Sequence, residues 1–446
     1  MKKILGYGLA LALLLVASVA ATWPFFMPSA EQRGAWRLET GGYVLNLTPF
    51  TATLYSESSH SCLTDISFPA HLKLIELADG ARIEIVDHQL DLSVDGSLGS
   101  MRFDKIAALP PACGDPDPQT ADLRDVFDAT WAALDEHYAF FDLHGVDWGA
   151  RRALAPDPGG PAPPDNAAVM EMLLELTDGL DDGHVHFGSD ETGWDSPSVA
   201  PTWLPTDGSF NRAKLFDIAA RNVGAEPSQH ESEPIYYALR EDGIGYIAVR
   251  EMDISVPFGS TGTRAMAEDF AAALDALSDA KAIVIDIRYN PGGSDTVSFG
   301  LASNFIAAPL NAFTKTTRIG EGQSEPFQAT VMPMDDTPYT RPVVLLTSRL
   351  TGSAAEILTL VLREIGQVTT LGEPTSGGLS DVMGFTLPNG WGLGLSNQTY
   401  LTMEGELFEA VGIPPDVTVA FDAAPLLAGQ DPVLAAGFEH ALKLVD

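Results

Sequence analysis

From about Tyr236 onward the sequence alternates between short apolar segments and amphipathic segments, and this alternation limits the folds open to the chain. The apolar segments read GYIAVREM, KAIVIDIRYN and RPVVLLTS. Helical spacing follows each of them, over Arg264–Leu277, from Asp295 onward, and over AAEILTLVLREI. Strands that are apolar on both faces and alternate with helices predict a mostly parallel sheet covered by helices. In such α/β sheets, functional sites form at the carboxyl ends of strands.

Two other regions precede this α/β core. Short apolar segments such as YVLNL and RIEIV alternate with polar breaks, which predicts a small domain of antiparallel strands. Apolar residues at helical spacing over Leu123–Phe141, with Thr120 placed to cap them, predict a helix, and a second is predicted over Asp165–Leu180. We therefore expect a signal peptide at 1–21, an N-terminal β-rich domain at 22–110, a helical region at 119–187, a connecting loop region at 188–235 and an α/β core at 236–446.

The first residues predict export. Two lysines precede an apolar run from Ile4 to about Val16, and small residues follow as far as Ala21. This pattern is typical of a secretory signal peptide, cut here after Ala20 or Ala21. An uncleaved anchor is the alternative, although the run is shorter than the ~20 residues that a bilayer needs. We expect a periplasmic or secreted protein that is free of the membrane after cleavage.

The net charge limits the kinds of partner that this chain can bind. The formal net charge is −36, and loss of the signal peptide would remove two lysines and no acid. A solvated acidic surface repels polyanions, which argues against nucleic acid and anionic lipid as partners.

The chain has two cysteines, Cys62 and Cys113. An exported compartment permits them to pair, and no other cysteine competes. We expect a disulfide between them, with two unpaired buried thiols as the alternative.

Two turns that follow buried strands have the residue types for a catalytic site. In NPGG, Gly292 and Gly293 allow the backbone to approach a ligand and to expose N–H groups. In TGSAAE, Ser353 opens a helix whose N-terminus favours negative charge. A nucleophile beside an oxyanion hole would use both turns.

Ser353 also fits a second interpretation. Ser-Ala-Ala-Glu is a capping box, in which Ser353 caps the helix and Glu356 lies three residues later. The turn is not the GxSxG elbow of α/β-hydrolases, because Thr351 and Ala355 stand where that motif has glycines.

The segment DDGHVHF supplies a candidate base. His184 and His186 would share one face if the segment were extended. Such a pair can bind a metal, but the sequence has neither HExxH nor a cysteine cluster to complete a site. A packed structural histidine, a metal ligand and a general base all remain open on these residues alone.

Six segments taken in order carry a family resemblance: DDGHVHF, GIGYIAV, DIRYNPGG, TSRLTGSAAEI, GEPTSGG and FEAVGIPPDV. Together they resemble the core of the C-terminal-processing and tricorn-like serine peptidases, over roughly Leu123–Val419. The resemblance implies an α/β core related to the crotonase and caseinolytic-protease folds. It also implies that Ser353 is the nucleophile, and that the N–H of Ala354 with that of Gly292 or Gly293 forms the oxyanion hole.

The departures from the family pattern indicate which branch the chain resembles. Members with a Ser-Lys dyad have a lysine in the turn where this chain reads GEPTSGG. A lysine base would also need its pKa lowered from ~10.4 towards 7, whereas a histidine at ~6.5 needs almost no shift. The resemblance to the tricorn-like branch therefore assigns the base to His184 and a supporting carboxylate to Glu409. Gly183 stands where that branch has a serine, so the link from Glu409 to His184 is open, and an exposed loop acid is the alternative for Glu409.

Residues 188–234 leave too little room for the PDZ domain of tail-specific members. We therefore expect a serine endopeptidase that needs no metal or organic cofactor, acts on polypeptides and does not require a free substrate C-terminus. The alternatives are a ligand-binding protein on the same scaffold, as in interphotoreceptor retinoid-binding proteins, and a metal-dependent hydrolase using His184 and His186.

Overall fold

A computed structural model describes residues 27–70, 81–94, 98–205, 210–226, 228–229, 234–252, 260–334 and 337–445. The expected signal peptide at 1–21 lies outside these ranges. Within them, no helix has the length and apolar character required to cross a bilayer.

The N-terminal region folds into an eight-stranded sheet, as the alternating segments predicted. Its strands are β1 (Gly34–Leu38), β2 (Tyr43–Leu47), β3 (Thr51–Glu57), β4 (Cys62–Pro69), β5 (Ala81–Val86), β6 (Gln89–Val94), β7 (Ser100–Ile106) and β8 (Cys113–Gly114). Their order is β5-β6-β7-β1-β2-β3-β4-β8, and all neighbours are antiparallel except β4 and β8. Cys62 and Cys113 are joined in a disulfide between these two strands, which confirms the predicted pairing.

A helical region follows. Its elements are α1 (Leu123–His137), α2 (Phe141–His144), α3 (Trp148–Arg151), α4 (Asn166–Thr177), β9 (His186–Ser189) and β10 (Gly193–Asp195). The prediction that Thr120 caps α1 was wrong. The cap is Asp122, whose carboxylate accepts the Asp125 N–H at 3.0 Å while the Asp125 carboxylate accepts the Asp122 N–H at 3.0 Å. Two acids three residues apart together accept two otherwise free backbone N–H groups at the start of the helix. A single threonine further upstream does not accept both.

The interval 188–235 is more ordered than the predicted connecting loop. It contains β10, α5 (Arg212–Asn222) and β11 (Ser228–Gln229). Asn211 caps α5 by accepting the Lys214 N–H at 2.8 Å. Four residues of α5, Leu215, Phe216, Ile218 and Ala219, are buried against the core. The four charged residues among the eleven of α5 obscure this apolar face in the sequence.

The α/β core has the predicted mostly parallel sheet. Its elements are β12 (Ile235–Leu239), β13 (Ile244–Val249), α6 (Ser260–Ala276), β14 (Ala282–Asp286), α7 (Asp295–Ala302), β15 (Leu310–Ile319), β16 (Gly322–Gln323), β17 (Phe327–Val331), β18 (Val343–Thr347), α8 (Ala354–Leu362), β19 (Val368–Gly372), β20 (Val382–Thr386), β21 (Gly392–Ser396), β22 (Gln398–Thr402), β23 (Val417–Thr418), α9 (Ala423–Leu427) and α10 (Pro432–Lys443). The sheet order is β11-β12-β13-β14-β18-β19-β23, and it is parallel from β13 to β23.

Successive residues of the central strands face opposite sides of this sheet. Ile283 and Ile285 of β14 join one buried cluster with α6, α7 and α8, whereas Ala282 and Val284 join another with α5 and α10. Burial on both faces explains why these strands are continuously apolar in the sequence.

Two smaller sheets hold the other regions against the core. One has the order β10-β9-β21-β20, in which β9 pairs with β21, and the other contains β15, β16, β17 and β22. The pairing of β9 with β21 carries the Asp181–His184 turn to the core. The N-terminal sheet reaches β20 through Tyr43, whose hydroxyl bonds to the backbone of Gly384.

Candidate active site

An open cavity of about 780 Å³ lies where β14, β18 and β19 end. Its wall is formed by the Asp181–His184 turn, residues 198–204 and the loops that follow the three strands. Three residues predicted from the sequence, His184, Ser353 and Glu409, all line this cavity. They come from distant parts of the chain, and the fold brings them together.

Ser353 sits at a tight strand-to-helix turn as the N-cap of α8. Its φ and ψ are 51° and −128°. This conformation is rare for a residue with a side chain, and such strain is found mostly at functional sites. The turn also requires glycine opposite it, because a Cβ on Gly292 would lie 2.5 Å from the Ser353 Cβ and 2.8 Å from the Ala354 nitrogen. The NPGG and TGSAAE turns therefore touch.

The carboxylate half of the predicted capping box is in place, whereas the Ser353 side chain accepts no capping hydrogen bond, because the Glu356 N–H donates to the Ser353 carbonyl at 2.7 Å. The acid does more than cap the helix. The fully buried Glu356 carboxylate accepts the Ser353 N–H at 3.2 Å. It also accepts the N–H groups of Gly377 at 2.7 Å and Gly378 at 2.8 Å, and the Ser376 hydroxyl at 2.9 Å. Burial raises the pKa of Glu356, and the hydrogen bonds from the 375–378 turn oppose this rise. Glu356 thus fixes the turn GEPTSGG against the Ser353 turn.

The two glycines of NPGG differ as oxyanion donors. The Gly292 N–H donates to Asn290 Oδ1 at 2.7 Å, and the Gly292 carbonyl accepts the Met252 N–H at 2.8 Å. Because the Gly292 N–H already serves the turn itself, Gly293 is the stronger candidate to act with Ala354.

His184 and Ser353 both adjoin Gly378. The Gly378 carbonyl accepts the Ser353 N–H at 3.1 Å, and a Cβ on Gly378 would lie 3.9 Å from His184 Nδ1. The His184 N–H donates to Asp182 Oδ1 at 2.8 Å, which fixes the turn that carries the ring. His184 Nδ1 is buried and has no hydrogen-bond partner among the described residues. This arrangement suits a general base whose other ring nitrogen exchanges a proton with a group in the cavity.

The expectation that His184 and His186 share one face was wrong. His184 lies in a turn, whereas His186 begins β9 and does not line the cavity. The His186 ring covers Gly394, where a Cβ would lie 2.3 Å from its Cε1, and it meets the Trp194 ring edge-on at 5.6 Å. Burial lowers the pKa of His186. In the ranges that the structure describes, no group of three or more His, Cys, Asp or Glu residues is placed to hold a metal ion.

Glu409 is not an exposed loop acid, because the residue is only 2% exposed. Its Oε2 accepts the N–H groups of Leu379 at 3.0 Å and Ser380 at 3.1 Å. Burial, followed by the nearby charges of Asp182 and Glu356, raises the pKa of Glu409 well above its ordinary value. Glu409 is therefore a buried acid in the cavity wall, close to the Asp182–His184 turn.

Sequence reasoning missed two buried groups beside this acid. Asp182 is 5% exposed, and neither its Oδ2 nor the hydroxyl of the fully buried Tyr138 has a hydrogen bond of normal geometry among the described residues, although the two side chains lie close enough to interact. In the sequence, Tyr138 is only one of the residues at helical spacing over Leu123–Phe141. The doubled acid before Gly183 was the available signal for Asp182.

Gly183 has no side chain, and the side chain of Ser198 lies next to the space that one would occupy. A Cβ on Gly183 would lie 3.8 Å from the Ser198 hydroxyl oxygen. Ser198 also lines the cavity, so a hydroxyl stands near the position where the resembling branch carries its serine.

Comparisons with known proteins agree with this geometry. Residues 243–419 match peptidase family S41. The chain is 28% identical over 187 residues to carboxy-terminal processing protease CtpA of Bacillus subtilis, which covers 42% of this chain and 37% of that protein. It is 31% identical over 137 residues to the carboxyl-terminal-processing protease of a Picosynechococcus species, which covers 30% of this chain and 31% of that protein. The aligned segments thus span about a third of each of these relatives.

Solved structures share the fold over a larger part of the chain. A protein from Parabacteroides merdae has a TM-score of 0.60 and 24% identity over 72% of this chain and 98% of its own. Mature CPAF complexed with lactacystin has a TM-score of 0.53 and 13% identity over 72% of this chain and 98% of its own. At these identities the likeness concerns the fold alone. The segment that is similar to peptidase family S41, residues 243–419, encloses both turns of the cavity.

Proposed function

We propose that this chain is an exported serine endopeptidase of the tricorn-like kind, with a core related to the crotonase and caseinolytic-protease folds. One observation carries the proposal: Ser353, on a strained turn, and His184, with a buried Nδ1, both adjoin Gly378 and line one open cavity. The match to family S41 supports peptide hydrolysis as the reaction.

The reaction follows the acyl-enzyme scheme. His184 takes the hydroxyl proton of Ser353 while Ser353 Oγ attacks the carbonyl carbon of a peptide bond. The N–H groups of Ala354 and Gly293 stabilise the oxyanion, aided by the N-terminus of α8. His184 then gives the proton to the leaving amine. A water molecule, deprotonated by His184, attacks the acyl-enzyme; the bond to Ser353 Oγ then breaks, His184 returns the proton to Oγ, and the second product leaves as a carboxylic acid.

Glu409 is a positioning residue in this proposal. Its carboxylate is buried and already accepts the N–H groups of Leu379 and Ser380, so it does not serve as the base itself. Its charge or hydrogen bond reaches His184 through the Asp182 turn, through the Ser198 hydroxyl, or through water. Such a carboxylate orients the imidazole and stabilises its protonated form.

The test is a digest profile of a complex peptide mixture with wild type and Ser353→Ala. We expect internal cleavage by wild type, and none by Ser353→Ala. If Ser353 only caps α8, Ser353→Ala should cost about 0.5–2 kcal/mol of stability and spare activity. Undiminished cleavage by folded Ser353→Ala protein would overturn the mechanism and leave the ligand-binding alternative.

A further inference from the structure

A cluster of four polar side chains adjoins the NPGG turn but lies outside the cavity lining. Its members come from four segments: Asp295 from the start of α7, Lys315 from β15, Asp381 from the loop before β20 and Tyr400 from β22. The Lys315 ammonium donates to Asp381 Oδ2 at 2.9 Å and to the Tyr400 hydroxyl at 3.4 Å. The Tyr400 hydroxyl donates to Asp295 Oδ2 at 3.1 Å. These four residues, the Asp295 cluster, form one chain of hydrogen bonds between two carboxylates.

Helix α7 links this cluster to both oxyanion donors. Asp295 is the first residue of α7, and Gly293 lies two residues before it. One turn further along the helix, the hydroxyl of the fully buried Ser298 donates to the Ala354 carbonyl at 2.5 Å. The positions of the Gly293 and Ala354 N–H groups therefore depend on how the start of α7 is held.

The Asp295 cluster contains one carboxylate more than its single ammonium can pair. Lys315 forms its salt bridge with Asp381, whereas Asp295 receives only the hydroxyl of the buried Tyr400. Burial first, and the charge of Asp381 next, raise the pKa of Asp295 to about 7, against the opposing effects of the Lys315 charge and the Tyr400 hydroxyl. Asp295 is therefore mostly neutral below pH 7 and mostly ionised above it.

The helices packed against α7 meet it through apolar side chains. Arg264 and Glu268 of α6 are exposed and lie 3.6 Å apart as an i,i+4 pair, and Glu356 of α8 is bound to the 376–378 turn. Among the described residues, the titratable groups that act on Asp295 are thus the other three members of its cluster. The apolar contacts of α6, α7 and α8 include Met266, Phe270, Val297, Leu301, Ile357 and Leu358.

An ionised Asp295 would oppose the proposed reaction. The oxyanion forms against the Gly293 N–H, two residues from Asp295. A carboxylate so close to the site repels the negative charge that develops there in the transition state. Neutral Asp295 keeps its hydrogen bond with Tyr400 and adds no such charge.

We propose that Asp295 is a positioning residue for the oxyanion hole, which it holds through α7, and that full turnover requires it to be protonated. This inference deepens the proposed function and rests on it. Turnover should therefore have an alkaline limit that Asp295 sets. The limit should appear in kcat and not in KM, because the oxyanion exists in the transition state and not in the bound substrate.

The experiment measures kcat and KM on one internally cleaved peptide from about pH 5 to about pH 9. For wild type, we expect kcat to fall about tenfold above pH 7, less than the 10²–10³-fold lost with a whole oxyanion donor, and KM to stay constant. Asp295→Asn keeps an acceptor for the Tyr400 hydroxyl but cannot ionise, so its kcat should stay level above pH 7. Thermal melts at each pH show which proteins are folded.

Two changes beside Asp295 give the test a direction, and both keep it possible if Asp295→Asn does not fold. Asp381→Asn removes the charge that raises the pKa of Asp295, so the fall in kcat should move to lower pH. Lys315→Met removes the charge that lowers that pKa, so the fall should move to higher pH. A merely structural role would change stability without these opposite shifts.

Asp165→Asn is the matched control. Asp165 also lies at the start of a helix, α4, where it accepts the Ala168 N–H at 3.3 Å, but it belongs neither to the cluster nor to the cavity lining. Its pH profile should match that of wild type.

Opposite shifts for the Asp381 and Lys315 variants, with a level profile for folded Asp295→Asn, would support the inference. A wild-type kcat that stays level above pH 7, a fall that persists in folded Asp295→Asn, or shifts in the reverse directions would overturn the inference alone. Absence of cleavage by folded wild type at every pH would overturn the proposed function, and the inference with it.

Discussion

Two clusters of charged residues are buried in this molecule, and they are built in opposite ways. In the first, the Arg288 cluster, Arg288 lies between Asp286 and Asp431, and all three side chains are inaccessible or nearly so. Arg288 donates to Asp286 at 2.9 and 2.6 Å and to Asp431 at 2.7 and 2.8 Å. Positive and negative groups are paired, and the cluster joins β14 to the start of α10.

The second, the site cluster, consists of Tyr138, Asp182, His184 and Glu409. Two of its members are acids, and burial first and the charge of Asp182 next raise the pKa of Glu409. Three buried polar atoms, Tyr138 Oη, Asp182 Oδ2 and His184 Nδ1, have no hydrogen bond of normal geometry among the described residues, although the Tyr138 and Asp182 side chains lie close enough to interact. An unpaired buried polar atom costs about 1–3 kcal/mol, so this arrangement is not the one that stability favours.

The contrast separates a structural polar cluster from a functional one. The Arg288 cluster satisfies its own charges and needs nothing from outside, whereas the site cluster opens onto a cavity with capacity left to bind or move a proton. Buried acids with a raised pKa, such as Glu409, concentrate at active sites. The variants below test whether the two clusters respond in opposite ways.

The largest effect is expected at His184. His184→Ala should lower kcat/KM by roughly 10²–10⁴-fold, because the general base is lost. His186→Ala should retain most activity, since His186 only packs over Gly394 and Trp194. Initial rates on one internally cleaved peptide provide the comparison. Loss confined to His186→Ala would assign the base to the wrong histidine.

Arg288→Met should act on stability instead. Removing the shared cation leaves Asp286 and Asp431 buried without it, which costs about 3–5 kcal/mol. Denaturant unfolding measures this loss, and active-site titration gives the rate per folded molecule, which should stay near that of wild type. A large fall in that rate at unchanged stability would show that the Arg288 cluster takes part in function.

His137 sharpens the comparison, because its ring nitrogens too are buried without a hydrogen bond among the described residues, with Glu136 Oε2 3.9 Å from Nε2. It lies outside the cavity lining, against Phe385 and Gly42. Burial, with a smaller effect of Arg318, lowers its pKa to about 4. The unfolded chain binds the proton near pH 6.5, so stability is full above pH 6.5 and falls by about 3 kcal/mol as the pH drops towards 4.

His137→Gln should flatten this part of the stability curve, measured by denaturant unfolding from pH 7 to 4, and leave kcat/KM at pH 7 unchanged. A curve that keeps its full slope would mean that other groups cause the acid sensitivity.

The smallest effect on stability is expected for Glu409→Gln. Unlike Arg288→Met, which should destabilise the protein, this change should stabilise it. A raised folded pKa means that the stability contribution of Glu409 is present below its unfolded pKa and lost as pH rises through the folded value. An amide keeps an acceptor for Leu379 and Ser380 but cannot ionise. We expect a gain of about 1 kcal/mol at neutral pH.

The same variant should lower kcat/KM by about tenfold and alter its pH profile, because the carboxylate no longer supports the imidazolium. Loss of stability with an unchanged pH profile would make Glu409 a structural acid, like those of the Arg288 cluster.

The sequence predicted the sheet and the two turns because each depends on local pattern. It predicted the disulfide because the chain has two cysteines and no other competes. Continuous apolar strands such as β14 and the glycines of NPGG are visible in a linear sequence. His186 was misplaced on the face of His184, because residues 183–184 form a turn and the strand begins only at His186. Tyr138 could not be assigned to the site, because only the packing of α1 against the core brings it there.

The most direct test of the account is covalent labelling with a fluorophosphonate, followed by peptide mass spectrometry. The account predicts one modified site, Ser353, in wild type and His186→Ala protein. It predicts almost no labelling in folded His184→Ala protein, where the serine is no longer activated, and none in Ser353→Ala or Ser353→Asn. Labelling at another residue that survives Ser353→Ala, together with retained peptide hydrolysis, would contradict the assignment of Ser353 as the nucleophile.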